Sequence, residues 1–436
     1  MTVPKPSQSN DLPRLTILRW MATLAVFCSH ALGLLLLTND AANRTLVQIF
    51  TGAGEGAVTC FFVLSGFILC WVARPGESWD TFVWRRASRL WPNHLATWII
   101  GLGLMLAAGR AFNIFALGPS LTLTQVWFPQ PAVLEGTNGP AWTLACELFF
   151  ALLFPTLYRR LLRMSDRSVA RAAWVTAGVM IAWTVIVALL VPSEPKTQDG
   201  LPVSILQTYA IVFIPIVRLL DFWLGMTLAA LILRGRWPAV PGAIVYGVSA
   251  LAFAACVALP APLGYVAPWL PAIALVVGYS ATPSESAGAA RNGLVRRGLL
   301  WMGDLSFAFY MIHWLVLQYL QGPLGVKTGT LTPVQTAAYI LVCLALSLIT
   351  ALGLRRWVEI PVAKWMRRQP VPWRMLRARR NPLDALAHEV AARRDVVVPA
   401  TAGVTPALSP DLGIDPSRAD RASSDDPSAD RAGTPG

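Results

Sequence analysis

Ten long apolar runs divide this sequence, near residues 15–37, 56–73, 90–108, 141–158, 172–192, 208–233, 242–260, 264–281, 299–321 and 333–354. Each is close to the roughly 17–25 residues that cross a hydrocarbon core as a helix. Lipid offers no partner to backbone N–H and C=O groups, so a run of this length satisfies them internally by coiling. The pattern predicts an all-α polytopic integral membrane protein of about ten transmembrane helices. Charged residues make up only 14% of the chain against 55% apolar, and mean hydropathy is +0.54. Soluble domains carry roughly 25% charged residues, and no stretch is left for a soluble catalytic domain. The pair over 242–281 is the weakest of the ten, because Pro260, Pro262, Pro268 and Pro271 interrupt it. The first run is too long for a cleavable signal peptide and lacks a small-residue cleavage site.

Basic residues predict the orientation, since they concentrate in cytoplasmic loops. With the N-terminus inside, the inner loops carry fourteen arginines, in groups at 74–89, 159–171, 234–236 and 291–297. The outer loops carry four basic residues, Arg44, Arg110, Lys196 and Lys327. Both termini are therefore expected in the cytoplasm, with the chain a multi-pass protein of the plasma membrane. The net charge of +13 follows from this topology and from attraction to anionic lipid, and gives no reason to expect nucleic acid. Residues 1–13 are polar and expected to be disordered, 14–366 form the membrane domain, and 367–436 form a basic juxtamembrane stretch and a disordered tail. The six cysteines have no paired spacing, so neither a disulfide framework nor a metal site is expected.

Ionisable residues inside lipid are costly and therefore point to function. The first run holds two, Arg19 and His30, eleven residues apart. Eleven steps of about 100° return close to the starting direction, so both line one face, roughly 16 Å apart. That separation approaches the reach of a phosphopantetheine arm from its phosphate to its thioester. Counting depth from the outer ends of the fourth and ninth runs places Glu147 and His313 near the level of His30. His30 is the candidate general base, since imidazole titrates near neutrality, with Glu147 as the carboxylate that orients it; a merely helix-bridging pair is the alternative. His313 either holds substrate or bonds a neighbouring helix. His94 is expected at the interface, and His388 lies in the tail. Arg19, Arg86 and Arg89 form a candidate phosphate clamp at the cytoplasmic mouth, in competition with a role as stop signals. Arg218 and Asp221, three apart on one helix, can neutralise each other structurally. Ser65-Gly66 suits close helix approach or lines a tunnel.

Seven segments in order resemble the acyltransferase family 3 membrane proteins, which O-acylate bacterial surface polysaccharides, peptidoglycan and some antibiotics. They are LTILRWMATLAVFCSHALG, GAVTCFFVLSGFIL, FVWRRASRLWP, NGPAWTLACELFFALLFP, RLLDFWLGM, MGDLSFAFYMIHWLV and RRWVEIPVAKW, spanning about residues 12–366. The resemblance implies a ten-helix core and an acyl-CoA co-substrate, acetyl-CoA being the expected form, with no tightly bound cofactor. It implies an essential histidine at His30, its paired arginine at Arg19, an arginine pair at Arg86 and Arg89, and a Trp-x4-Glu motif at Trp142 and Glu147. Two positions depart from the family: Asp221 stands where glutamate is usual, and Leu15-Thr16 opens a motif that usually begins Leu-Asp-Gly-Leu-Arg.

The resemblance implies a carbohydrate or lipid-linked glycan acceptor and leaves room for an extracytoplasmic partner protein. On this reading His30 deprotonates a hydroxyl that attacks the acyl carbonyl, directly or through a transient acyl-enzyme. A proton-coupled transporter or flippase for an amphipathic solute is the alternative, its buried His, Glu and Arg serving as a relay. No inverted repeat is visible to support it.

Overall fold

The computed structural model describes residues 12–73, 77–110, 113–196, 203–282, 294–369 and 371. The segment 1–11, Arg74, Arg291, His388 and the tail lie outside the described residues. The chain runs α1 (Pro13–Leu32), α2 (Asp40–Trp71), α3 (Trp79–Ala107), α4 (Ile114–Thr122), α5 (Pro131–Glu135), α6 (Trp142–Arg163) and α7 (Asp166–Leu190). It continues with α8 (Ile205–Thr208), α9 (Pro215–Leu233), α10 (Gly242–Ala258), α11 (Trp269–Ala281), α12 (Leu294–Tyr319), α13 (Pro333–Leu354) and α14 (Ile360–Arg368). No strand occurs among the described residues, only two isolated bridges.

Among the described residues eight helical stretches are long and apolar enough to cross a membrane, while α10 and α11 are shorter apolar helices. At about 1.5 Å per residue the 17 residues of α10 and 13 of α11 fall short of a hydrocarbon core of about 30 Å. The prolines between them hold the connection out of helical conformation. Large apolar side chains such as Leu189, Leu341 and Ile349 stay exposed on the outer helices, as lipid solvation allows.

The second helix is longer than its apolar run, at 32 residues. Asn39 caps it, its side chain accepting from the Ala42 N–H at 3.0 Å. It then continues through Gly52, Gly54 and Gly56, where loop would be expected, because each glycine receives a neighbour. A Cβ added at Gly52 would strike Cys256, at Gly54 Ser29, and at Gly56 the Trp269 ring. Small residues let helices approach where lipid supplies no hydrophobic drive, and α2 accordingly packs against α1, α6, α9, α10 and α11. The closest crossing is with α9. A Cβ on Gly66 would sit 1.9 Å from the Phe222 carbonyl oxygen, and one on Gly225 would sit 1.9 Å from that of Val63. The Ser65-Gly66 pair thus does permit close approach.

Helices α1 and α12 run parallel. Arg19 near the start of α1 donates to the Gly303 carbonyl at 2.7 Å, and His30 near its end meets His313 at 2.9 Å. Between these points Trp20 and Phe27 pack on Phe309, with ring centroids 5.4 and 5.7 Å apart. At the end where α1 starts, Arg234 and Arg236 clasp Asp166 at 3.3 and 2.7 Å, joining the α6–α7 and α9–α10 turns. At the other end, residues 113–141 form a cap of short helices tied inward. Its Leu121 carbonyl lies 3.0 Å from His94 Nε2 and its Val126 carbonyl accepts from Tyr209 at 3.0 Å. His94, expected at the interface, is therefore buried at 1% exposure.

Gly66→Ala is expected to destabilise the bundle by about 1–3 kcal/mol, as overpacking does. Gly178→Ala on α7, where an added Cβ meets nothing within 4 Å, is expected to be neutral or slightly stabilising. Thermal unfolding of both variants in detergent checks the difference; equal behaviour would remove the α2–α9 crossing as a constraint.

Candidate active site

Besides a chamber of about 460 Å³ at the very start of the α1–α12 seam, lined by Thr16, Arg19, Arg296 and Asp304 among others, two chambers open further along it. The one nearer the start of α1 has a volume of about 150 Å³ and is lined by Arg19, Arg86, Arg89, Glu147, Ser65, Thr143 and Tyr310, among apolar neighbours. Arg19 comes from α1, Ser65 from α2, the arginine pair from α3, Glu147 from α6 and Tyr310 from α12. The three arginines expected to act together are brought together. Arg86 pairs with Glu147 and donates to the Ser65 hydroxyl at 3.1 Å, while that hydroxyl donates to Glu147 at 2.9 Å. The resulting triangle holds one guanidinium in a fixed pose. Arg19 keeps its two bonds to the Gly303 carbonyl, and Arg89 retains exposed surface. Three cations less one carboxylate leave the lining with two positive charges, the electrostatics of an anion site.

The second chamber, about 250 Å³, is lined by His30, Glu55, Glu135, Trp142, Phe213, Tyr265 and Trp314, with small and apolar neighbours. His30 and His313 lie nearly parallel, 7° between planes, and Trp314 meets His30 edge-on with centroids 4.9 Å apart. The hydrogen bonds fix the tautomers. His313 Nδ1 lies 2.8 Å from the Tyr310 carbonyl, which can only accept, so Nδ1 carries the proton. In neutral His313, Nε2 is then an acceptor, so the facing His30 Nδ1 donates to it. That leaves the lone pair of His30 on Nε2, the geometry a general base needs.

The His30–Glu147 pair expected from depth counting is not formed. Asn138, four residues before α6, already donates to the Met311 carbonyl at 2.8 Å, so α6 begins at the level of the histidines and not at the membrane surface. Glu147 therefore lies about 7 Å further in, within the arginine chamber. Trp142, at the first position of α6, does reach the histidine chamber. Successive residues Trp142 and Thr143 face the two chambers, and Thr143 Oγ1 donates to the Tyr310 hydroxyl at 3.1 Å, so the partition is a single side-chain layer. Arg218 and Asp221 do pair, at 3.2 Å and almost fully buried, with Arg218 also donating to Thr59 at 3.0 Å. Glu55 was not singled out from the sequence, since it lies one residue before the apolar run over 56–73; the Asn39-Asp40 cap was the signal that the helix starts earlier.

Glu147→Ala should leave the half-buried Arg86 charge unpaired and cost about 1.5–3 kcal/mol. A double-mutant cycle with Arg86→Ala, read by chemical denaturation, is expected to show the double variant no worse than either single one. Strict additivity would show that the two groups do not act as a pair.

The family model for the Acyl_transf_3 acyltransferase domain matches residues 12–352. Acyltransferase MdmB of Streptomyces mycarofaciens is 33% identical over 392 residues, covering 84% of this chain and 95% of that protein. No solved structure matches the chain. The matched residues take in both chambers and every helix from α1 to α12, and the chain belongs to the acyltransferase family 3 membrane proteins.

Proposed function

We propose that this membrane acyltransferase moves an acyl group, acetyl being the expected one, from acyl-CoA to a hydroxyl of a carbohydrate or other cell-envelope or secreted acceptor at the plasma membrane. The observation that carries this reading is the single face of α1 that joins a cationic chamber at Arg19 to a histidine pair at His30, about 16 Å away along the helix axis. The donor's phosphates meet Arg19, Arg86 and Arg89, whose guanidinium groups suit bidentate contacts. Glu147 and Ser65 serve by holding Arg86, in place of the general-base partnership expected of Glu147. The pantetheine arm runs toward His30 across the Thr143–Tyr310 layer.

At the far chamber the acceptor hydroxyl gives its proton to His30 Nε2 as its oxygen attacks the thioester carbonyl carbon. The tetrahedral intermediate collapses with cleavage of the C–S bond, and the CoA sulfur takes the proton back from the imidazolium. His313 acts on His30 and not on substrate. Its Nε2 accepts from His30 Nδ1 throughout, fixing the ring and stabilising the transient positive charge.

His30→Ala is expected to abolish CoA release from acyl-CoA and acceptor by protein in nanodiscs while leaving insertion intact; near-normal turnover would sink the assignment. His313→Leu should lower kcat by about a hundredfold and leave the donor KM unchanged. His313→Gln keeps an acceptor oxygen for His30 and should recover part of the loss.

Arg19→Ala, or Arg86→Ala with Arg89→Ala, should raise the donor KM about ten- to hundredfold per lost phosphate contact, with little change in the acceptor KM. An unchanged donor KM in these variants would return the arginines to a topological role.

A further inference from the structure

The two chambers differ in their ionisable lining. Arginine supplies the ionised lining of the first chamber but for one carboxylate. Among the described residues the second has no arginine or lysine in its lining, and its acidic groups are Glu55 and Glu135. Glu55 sits mid-helix on α2, and its Oε2 is buried with no hydrogen-bond partner. Ser29, adjacent to His30, packs against Gly54, so Glu55 follows directly from the α1–α2 contact beside the histidine. Arg218, the cation that acts electrostatically on Glu55, is shared with Asp221 and Thr59. A carboxylate placed so, in a chamber walled by Trp142, Phe213, Tyr265 and Trp314, has only a shared counter-ion against the cost of its burial.

We infer that the second chamber selects an acceptor bearing a protonated amine on an apolar body, with Glu55 as the counter-ion and the aromatic walls receiving the ammonium and its alkyl groups. This rests on the acyl-transfer reading of the His30 chamber and narrows its acceptor to amine-bearing alcohols such as amino-sugar glycosides. Carboxylate plus aromatic rings is the combination that favours an ammonium over a neutral group, since the ring faces are electron-rich and the site is partly dry. The arrangement also settles which group reacts. An amine held as its ammonium against Glu55 has no lone pair to attack a thioester, whereas a hydroxyl beside His30 Nε2 can be deprotonated.

The experiment compares three octyl glycosides of one body: N,N-dimethylglucosaminide, N-acetylglucosaminide and glucoside. Binding to the full chain in nanodiscs is followed by tryptophan fluorescence as the pH is raised through neutrality, so that the ammonium and the Glu55 carboxylate are both populated. The amine is expected to bind roughly tenfold or more tighter than the two neutral probes. Glu55→Gln, nearly isosteric, should bring the three to parity, and Glu55→Asp should keep part of the preference. Equal or absent binding of all three by the wild type would overturn the inference, as would a Glu55→Gln variant that weakens all three alike or keeps the preference. CoA release from acetyl-CoA is measured on the same samples. Amine-selective binding with no acyl transfer to the bound probe would sink the acyl-transfer reading and leave the selectivity standing.

Discussion

A guanidinium or an imidazole in the middle of a lipid-solvated bundle must find its partner on another helix, and for Arg19 and His30 that helix is α12. The Gly303 carbonyl takes the arginine and His313 takes the histidine. Two contacts, eleven residues apart on α1 and ten apart on α12, fix both the parallel direction and the rotation of the pair. Gly303 is also where a side chain would collide with the Thr16 carbonyl, so the arginine bond needs a backbone approach that only glycine allows. The aromatic stack between the two points separates them with apolar material. Both chambers are defined by this seam, since Arg19 and Ser306 line one and His30 and Trp314 line the other.

Much of the bundle was legible because the membrane imposes a simple code. Apolar length gave the helices, and eight of them reach spanning length. Rotation was legible too: the 100° step put Arg19 and His30 on one face, and both do meet α12. Depth was not. The count for Glu147 assumed that α6 starts at the membrane surface, yet the cap over 113–141 folds inward and starts it beside His313. Hydropathy alone cannot separate a helix that begins at the interface from one that begins inside a protein-lined recess, where irregular backbone is tolerated.

Glycine plays the opposite part here from the one it has in soluble helices. Gly52, Gly54 and Gly56 signal a loop in soluble proteins, where each costs about 1 kcal/mol in a helix. Inside this bundle the same residues are the contact points of α2 with its neighbours, and they carry Glu55 into the His30 chamber. An intramembrane acid flanked by glycines is thus easily assigned to a connection. The cap at Asn39 is a weaker signal than three glycines, but here it marks the true start of the helix.

The use of a second histidine instead of a carboxylate behind His30 has an electrostatic consequence. On the acyl-transfer reading, a histidine pair holds the base without adding a carboxylate to the seam. A carboxylate in the place of His313 would repel the developing negative charge on the acyl carbonyl and compete with Glu55 for a cationic acceptor. With Glu147 withdrawn into the arginine chamber as the partner of Arg86, the acids are sorted. Glu147 stabilises a cation of the protein in the first chamber, while Glu55 and Glu135 lie in the second, where Glu55 Oε2 has no hydrogen-bond partner. On the acyl-transfer reading, that sorting lets one bundle hold an anionic donor and a cationic acceptor about a phosphopantetheine length apart without either neutralising the other's site.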